Sequence, residues 1–264
     1  MTQYLGGLLL WLVSQSLFAI PLQEQSQWND YFVKEAVHGV LILCKESSQT
    51  CVTNDKVRAA TAFIPASTFK VPHALIALET GVVQSEQQIF KWDGKPREMA
   101  LWEQDFTLRG AMQASAVPVF QQFARQIGPK RMQSYLDKFA YGNRDRSGGL
   151  ERFWLDGGLR ISAQQQVHFL EALYHNRLPA TKQNQLIVKD ALIAEATSEY
   201  LLRAKSGYTG IKGKIQPGIA WWIGWVEKGT EVTFFAFNMD VSDEAKLPVR
   251  KALSMAIMKA EGVL

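Results

Sequence analysis

Two neighbouring runs near the C-terminus, residues 219–227 and 231–239, are apolar on both faces. In the first, Ile219, Trp221, Ile223 and Trp225 alternate with Ala220, Trp222, Gly224 and Val226. An extended chain points successive side chains to opposite sides, so neither face of this pair is suited to water. The short link Lys228-Gly229-Thr230 makes the two runs an antiparallel hairpin. Antiparallel strands usually keep one polar face. A pair without one must be covered front and back, and helices are the covering that a chain of 264 residues can supply. The expected fold class is therefore α/β (α+β), with a central antiparallel sheet flanked by helices.

The rest of the chain can be read against that sheet. Residues 38–43 look like a strand ending at Cys44, residues 45–50 form a polar turn, and Cys51-Val52-Thr53 looks like the returning strand. Residues 59–64 are a candidate third strand. From Ser67 the apolar period becomes helical, through Leu75, Leu78 and Val82, with Gly81 as a terminator. Pro118 opens a second helix that Gly128 stops, and residues 132–139 give another. Residues 141–158 are a long, glycine-rich connection, of a length that is usually functional or disordered. Ser162 with Gln165 makes a capping box, and residues 183–195 give one more helix. At the ends, Ser26 can cap a helix with Trp28, Tyr31, Phe32 and Ala36 on one face. Pro248 starts a last helix that turns Val249, Leu253, Ala256, Ile257 and Ala260 inward. The expected sheet comes from residues 20–66 and 197–264, with a helical insert over about 67–196.

Net charge is +4 and the charges are scattered, which argues against a nucleic-acid surface and mildly favours small anions. Residues 1–19 read as a signal peptide: residues 8–13 are apolar and Ala19 is a small residue at a cleavage point. Residues 1–4 lack Lys or Arg and Leu17 is bulky, so a buried helix or retained anchor is the alternative. The polar run at 23–27 favours cleavage. No later segment approaches the 18 or more apolar residues of a membrane span. Cys44 and Cys51 close the first hairpin. In an exported protein they suggest a disulfide, and otherwise a pair of free thiols.

Three short motifs could carry chemistry. Ser67-Thr68-Phe69-Lys70 puts a hydroxyl and an amine on one face of a helix start, where a lysine with a lowered pKa can activate a serine. Pro72 predicts a 3₁₀ first turn there. Ser115-Ala116-Val117 alone reads as a helix cap, and Lys205-Ser206-Gly207 alone as a strand end with a turn glycine. Together, in this order, they match the serine acyl-enzyme set of a Ser-x-x-Lys, a second serine motif and a Lys-Thr-Gly relative. His38, His73, His168 and His175 form no metal-ligand spacing, and neither a Gly-x-Ser-x-Gly elbow nor a phosphate loop is present.

With Tyr141-Gly142-Asn143, Trp154, Trp221-Trp222-Ile223-Gly224-Trp225 and Arg250 added, the chain resembles the class D β-lactamases, or oxacillinases, over essentially all of residues 20–264. The resemblance implies the serine β-lactamase and penicillin-binding-protein fold. It implies an exported, periplasmic enzyme that hydrolyses penicillins and confers β-lactam resistance. Its partners would be small β-lactams, with no nucleic acid, no membrane after processing, and a homodimer left open. By resemblance, Ser67 is acylated and Lys70 is carboxylated by carbon dioxide to act as general base, with no other cofactor and no metal. Ser115 relays a proton, Trp154 hydrogen-bonds the carbamate, and Val117 and Leu155 form an apolar lid. Lys205, Ser206 and Arg250 hold the substrate carboxylate, and the backbone N–H groups of Ser67 and Tyr208 form the oxyanion hole. Ser206 stands where many members have Thr. A β-lactam sensor that acylates without turnover is the alternative.

Overall fold

The computed structural model describes residues 21–48, 50–210 and 217–264. The expected signal peptide, residues 1–19, lies outside them. The main sheet has the order β1-β3-β2-β9-β8-β7-β6. These strands are β1 (Leu22–Glu24), β2 (Gly39–Lys45), β3 (Thr50–Thr53), β6 (Ile193–Ala196), β7 (Leu201–Tyr208), β8 (Gly218–Lys228) and β9 (Glu231–Val241). The expected antiparallel pattern holds except at one edge, where β1 pairs with β3 in parallel.

The hairpin of β8 and β9 sits at the centre, as its composition requires: residues 218–226 and 232–239 are all buried. Its two faces enter separate cores. Ile219, Trp221, Ile223 and Trp225 join one with α3 (Lys70–Glu79), α6 (Ala163–Tyr174) and α5 (Val117–Lys138), which is broken into two helices at Gly128, φ 77°, as expected. Ala220, Trp222 and Val226 join the other with Phe32 of α1 (Asn29–Lys34) and Leu253 and Ile257 of α8 (Val249–Ala260). The remaining helices are α2 (Lys56–Ala60), α4 (Leu108–Gln113) and α7 (Lys182–Ala191). Every residue of α3 from Lys70 to Leu78 is buried, so this helix is the middle of the insert.

Four local readings need correction. Residues 59–64 are not a third strand of the sheet. The Asp55 carboxylate accepts from Arg58 N at 2.8 Å and caps α2. Of these residues Ala62–Phe63 forms a paired strand, β4, and it pairs with β5 (Ile161–Ser162) in a small separate sheet. The helix expected to reach residue 195 stops at Ala191, because the next residues pair with β7 as edge strand β6; tertiary pairing overrides an alanine-rich helical preference. Ser26 lies within a 3₁₀ turn rather than capping a helix, and Ala36, at φ 49°, lies beyond α1. In α8 the inward residues are Leu253, Ser254, Ile257 and Met258, while Ala256 and Ala260 are exposed. Cys44 and Cys51 face each other across β2 and β3 and form a disulfide. Among the described residues no helix is long and apolar enough to cross a membrane.

Candidate active site

Ser67 lies in the 3₁₀ turn Ala66–Phe69 that leads into α3. Pro72 has no N–H to return to residue 68, which fits the tight turn expected here. The residue before the serine, Ala66, has φ 49°, a left-handed conformation that concentrates at functional sites. Between Ile64 and Leu78, Ser67 is the one residue that is not buried. The fold thus brings a single hydroxyl out of the core at this turn.

Lys70 is fully buried, and its Nζ donates to Ser67 Oγ at 2.7 Å. The same nitrogen lies 5.4 Å from the centre of the Phe120 ring. Burial, and then the charge of Lys205, push the Lys70 pKa well below its ordinary value. Among the described residues no carboxylate pairs with it to restore the charge. The neutral amine is therefore favoured, which a base requires and an ammonium cannot provide.

Ser115 stands between α4 and α5 with φ 52°. Lys205 of β7 donates to Ser115 Oγ at 3.1 Å and to the Ser206 carbonyl at 2.9 Å. The Lys205 pKa is pushed down to about 7 by burial and then by Arg250. Arg250, in the first turn of α8, is half-buried; burial lowers its pKa and its Nη1 has no partner among the described residues. Arg250 acts on Lys205 and Lys205 on Lys70, and Lys205 with Arg250 makes a positive field suited to a small anion. Ser206 and Tyr208 alternate with Lys205 along β7. The Tyr208 hydroxyl donates to Glu244 at 3.2 Å.

Close packing sets β7 against the serine turn. A Cβ on Gly207 would stand 2.8 Å from the Pro65 carbonyl and 3.2 Å from Thr68 N. From the sheet, Trp221 Nε1 donates to the Ile64 carbonyl at 2.8 Å. Behind the turn runs a buried chain of polar contacts. Tyr141 donates to Gln166 Oε1 at 3.3 Å, Gln166 Nε2 donates to Thr68 Oγ1 at 2.9 Å, and Thr68 donates to the Pro65 carbonyl at 2.8 Å.

The connection 141–158 carries Trp154 into this region. Gly142, at φ 56°, leaves no room for a Cβ against the Arg160 carbonyl. Asn143 ties the connection down, donating to the Gly158 carbonyl and accepting from Arg160 N, each at 2.9 Å. Trp154 is fully buried and stacks on Phe69 at 5.6 Å, and its Nε1 has no partner among the described residues. Val117 and Leu155 are half-buried, the first opening α5 and the second following Trp154. Trp154 thus packs on Phe69, the neighbour of Lys70 in sequence, and a buried indole N–H without a partner suits a hydrogen-bond acceptor. Among the described residues no cluster of three or more His, Cys, Asp or Glu could hold a metal ion.

Thr68, Phe120, Gln166 and His73 were not singled out as site residues by sequence reasoning. Gln166 had a signal, since a glutamine between Ala163 and Leu170 falls on the apolar face of α6.

The penicillin-binding-protein transpeptidase domain matches residues 31–259. Among curated proteins, β-lactamase OXA-10 of Pseudomonas aeruginosa is 58% identical over 96% of this chain and 95% of its own. β-Lactamase OXA-5 of the same species is 60% identical over 92% and 91%. β-Lactamase OXA-48 of Klebsiella pneumoniae is 48% identical over 92% and 90%.

Proposed function

The chain belongs to the class D β-lactamases and is a serine hydrolase of the β-lactam amide; from that premise we propose that Ser67 is its nucleophile and a carboxylated Lys70 its general base. The observation that carries this reading is the 2.7 Å contact between Ser67 Oγ and a buried lysine without a carboxylate partner; the buried, unpartnered N–H of Trp154, which stacks on Phe69, supports it. A neutral Lys70 attacks carbon dioxide: Nζ and carbon form a bond, one C=O electron pair moves onto oxygen, and a proton leaves Nζ for solvent. The product gives Lys70 carboxylate character within reach of Ser67.

Lys70 then removes the Ser67 proton as Oγ attacks the lactam carbonyl. Backbone N–H groups of Ser67 and Tyr208 stabilise the developing oxyanion, a role supported by the close approach of β7 to the serine turn. Ser115, held by Lys205, passes a proton to the lactam nitrogen as the C–N bond breaks. Lys205, Ser206 and Arg250 hold the substrate carboxylate, a role supported by the uncompensated positive field around them. Val117 and Leu155 keep the modified Lys70 dry. Lys70 next activates a water that releases the product from Ser67. Penicillins of the oxacillin type are the proposed substrates. The proposed setting is the periplasm, reached after removal of residues 1–19, where the enzyme confers β-lactam resistance.

The test is turnover of a chromogenic cephalosporin and of oxacillin in degassed buffer, with and without bicarbonate. Activity should fall at mildly acidic pH, where Lys70 is protonated, and bicarbonate should restore it. Trp154→Ala should accumulate acyl-enzyme at neutral pH. No bicarbonate response at any pH, with normal deacylation in Trp154→Ala, would eliminate the carbamate. Stoichiometric acylation without turnover would favour the sensor instead.

A further inference from the structure

The aromatic cluster packed behind Lys70 holds a polar side chain that the proposed reaction does not use. His73 lies on α3, about one helical turn beyond Lys70, and is fully buried. Its ring centre is 5.1 Å from Trp154, 5.3 Å from Phe69, 5.4 Å from Phe120 and 6.3 Å from Phe123. The Lys70 amine is 5.4 Å from the centre of the same Phe120 ring. Lys70 and His73 therefore share the Phe120 ring as a neighbour, and His73 and Trp154 pack on each other and on Phe69.

Neither His73 Nδ1 nor Nε2 has a hydrogen-bond partner among the described residues, and neither does the indole N–H of Trp154. Leaving a buried polar group unpaired costs about 1–3 kcal/mol. A phenylalanine in this aromatic setting would avoid that cost, so packing does not account for an imidazole here. Burial, and then repulsion from Lys70, hold the His73 pKa down to about 3. The ring is thus neutral at physiological pH, with one N–H donor and one acceptor nitrogen. A neutral donor can bond an anion without delivering a proton that would quench a base.

We propose that His73 is a positioning residue for the modified Lys70, its ring N–H donating with Trp154 Nε1–H to the oxygens of the Lys70 carbamate. This rests on the carbamate reading above. Two donors from different elements, α3 and the 141–158 connection, would fix the plane of the carboxylate and aim its free oxygen at Ser67. Loss of one donor to a charged acceptor should weaken carbon dioxide retention about tenfold.

The experiment is a titration of the full enzyme with ¹³C-bicarbonate, following the carbamate carbon by NMR in wild type, His73→Phe and His73→Asn. His73→Phe should need about tenfold more bicarbonate for half-saturation, whereas His73→Asn, which keeps an N–H donor, should stay within about threefold of wild type. Unchanged half-saturation in His73→Phe, or equal shifts in both variants, overturns the proposal. Should His73→Phe not fold, ¹⁵N-histidine-labelled wild type decides the matter. A His73 ring nitrogen whose resonance moves on bicarbonate addition supports the donor role, and one that does not move overturns it. A wild-type enzyme with no carbamate signal overturns the carbamate reading and His73 with it. A clear wild-type signal that is indifferent to His73 overturns the His73 role alone.

Discussion

A hydroxyl becomes a nucleophile through its neighbours, and near Ser67 stand two lysines, Lys70 and Lys205, whose charge burial disfavours. Lys205 shows how this should register in kinetics. Its ordinary pKa is brought down to about 7 by burial and by Arg250. Below that pH the side chain is charged, and above it the charge is lost. The free enzyme should therefore lose one of the two cations proposed to hold the substrate as pH rises through about 7. kcat/KM for a penicillin, whose carboxylate needs that charge, should fall along this alkaline limb. Lys205→Arg keeps its charge throughout and should flatten the limb. A wild-type profile that is flat from about pH 6 to pH 9 would contradict the assignment. At this scale the sequence was informative where residues come in motifs: Ser67 with Lys70, Ser115, and Lys205 with Ser206 and Gly207. It was silent on His73 and Thr68, because nothing in their local spacing separates a buried polar residue at the site from an ordinary helix residue.

At the scale of elements, the site depends on β7 lying against the 3₁₀ turn. Gly207 permits this approach, since an added Cβ would stand 2.8 Å from the Pro65 carbonyl. Gly207→Ala should force the strand and turn apart, costing about 1–3 kcal/mol in stability. kcat should fall more than tenfold if that displacement moves an oxyanion donor by about 1 Å. Steady-state kinetics beside a thermal melt checks this; wild-type kcat in a folded variant would contradict it. The two-faced apolar hairpin was legible because burial on both sides leaves no alternative for its tryptophans and phenylalanines. Ile193 to Ala196 was misread because its pairing with β7 is set by a partner strand, which local propensity does not record. Residues 59–64 were misread for the opposite reason, a local cap at Asp55 outweighing a short apolar run.

In the whole molecule, strands from both ends of the chain meet in one sheet, and the helical insert supplies Ser67 and Ser115 against β7. The disulfide between Cys44 and Cys51 lies toward the far edge, on strands three and four spacings from β7, or roughly 14–19 Å away. It closes a short loop and should contribute about 2.5 kcal/mol at most. The double variant Cys44→Ser, Cys51→Ser should melt lower and turn over β-lactams at the wild-type rate. Equal melting temperatures would show that the bridge adds nothing, and a lost rate would show that the edge communicates with the site. The fate of the whole chain during turnover bears most directly on Ser67 as the acylated residue. Intact mass spectrometry within the first turnovers with a penicillin should show a transient adduct of the substrate's mass, located by digestion on the peptide carrying Ser67. It should decay as substrate is consumed and never form on Ser67→Ala. An adduct on Ser67→Ala, or on any other peptide of the wild type, would contradict the assignment.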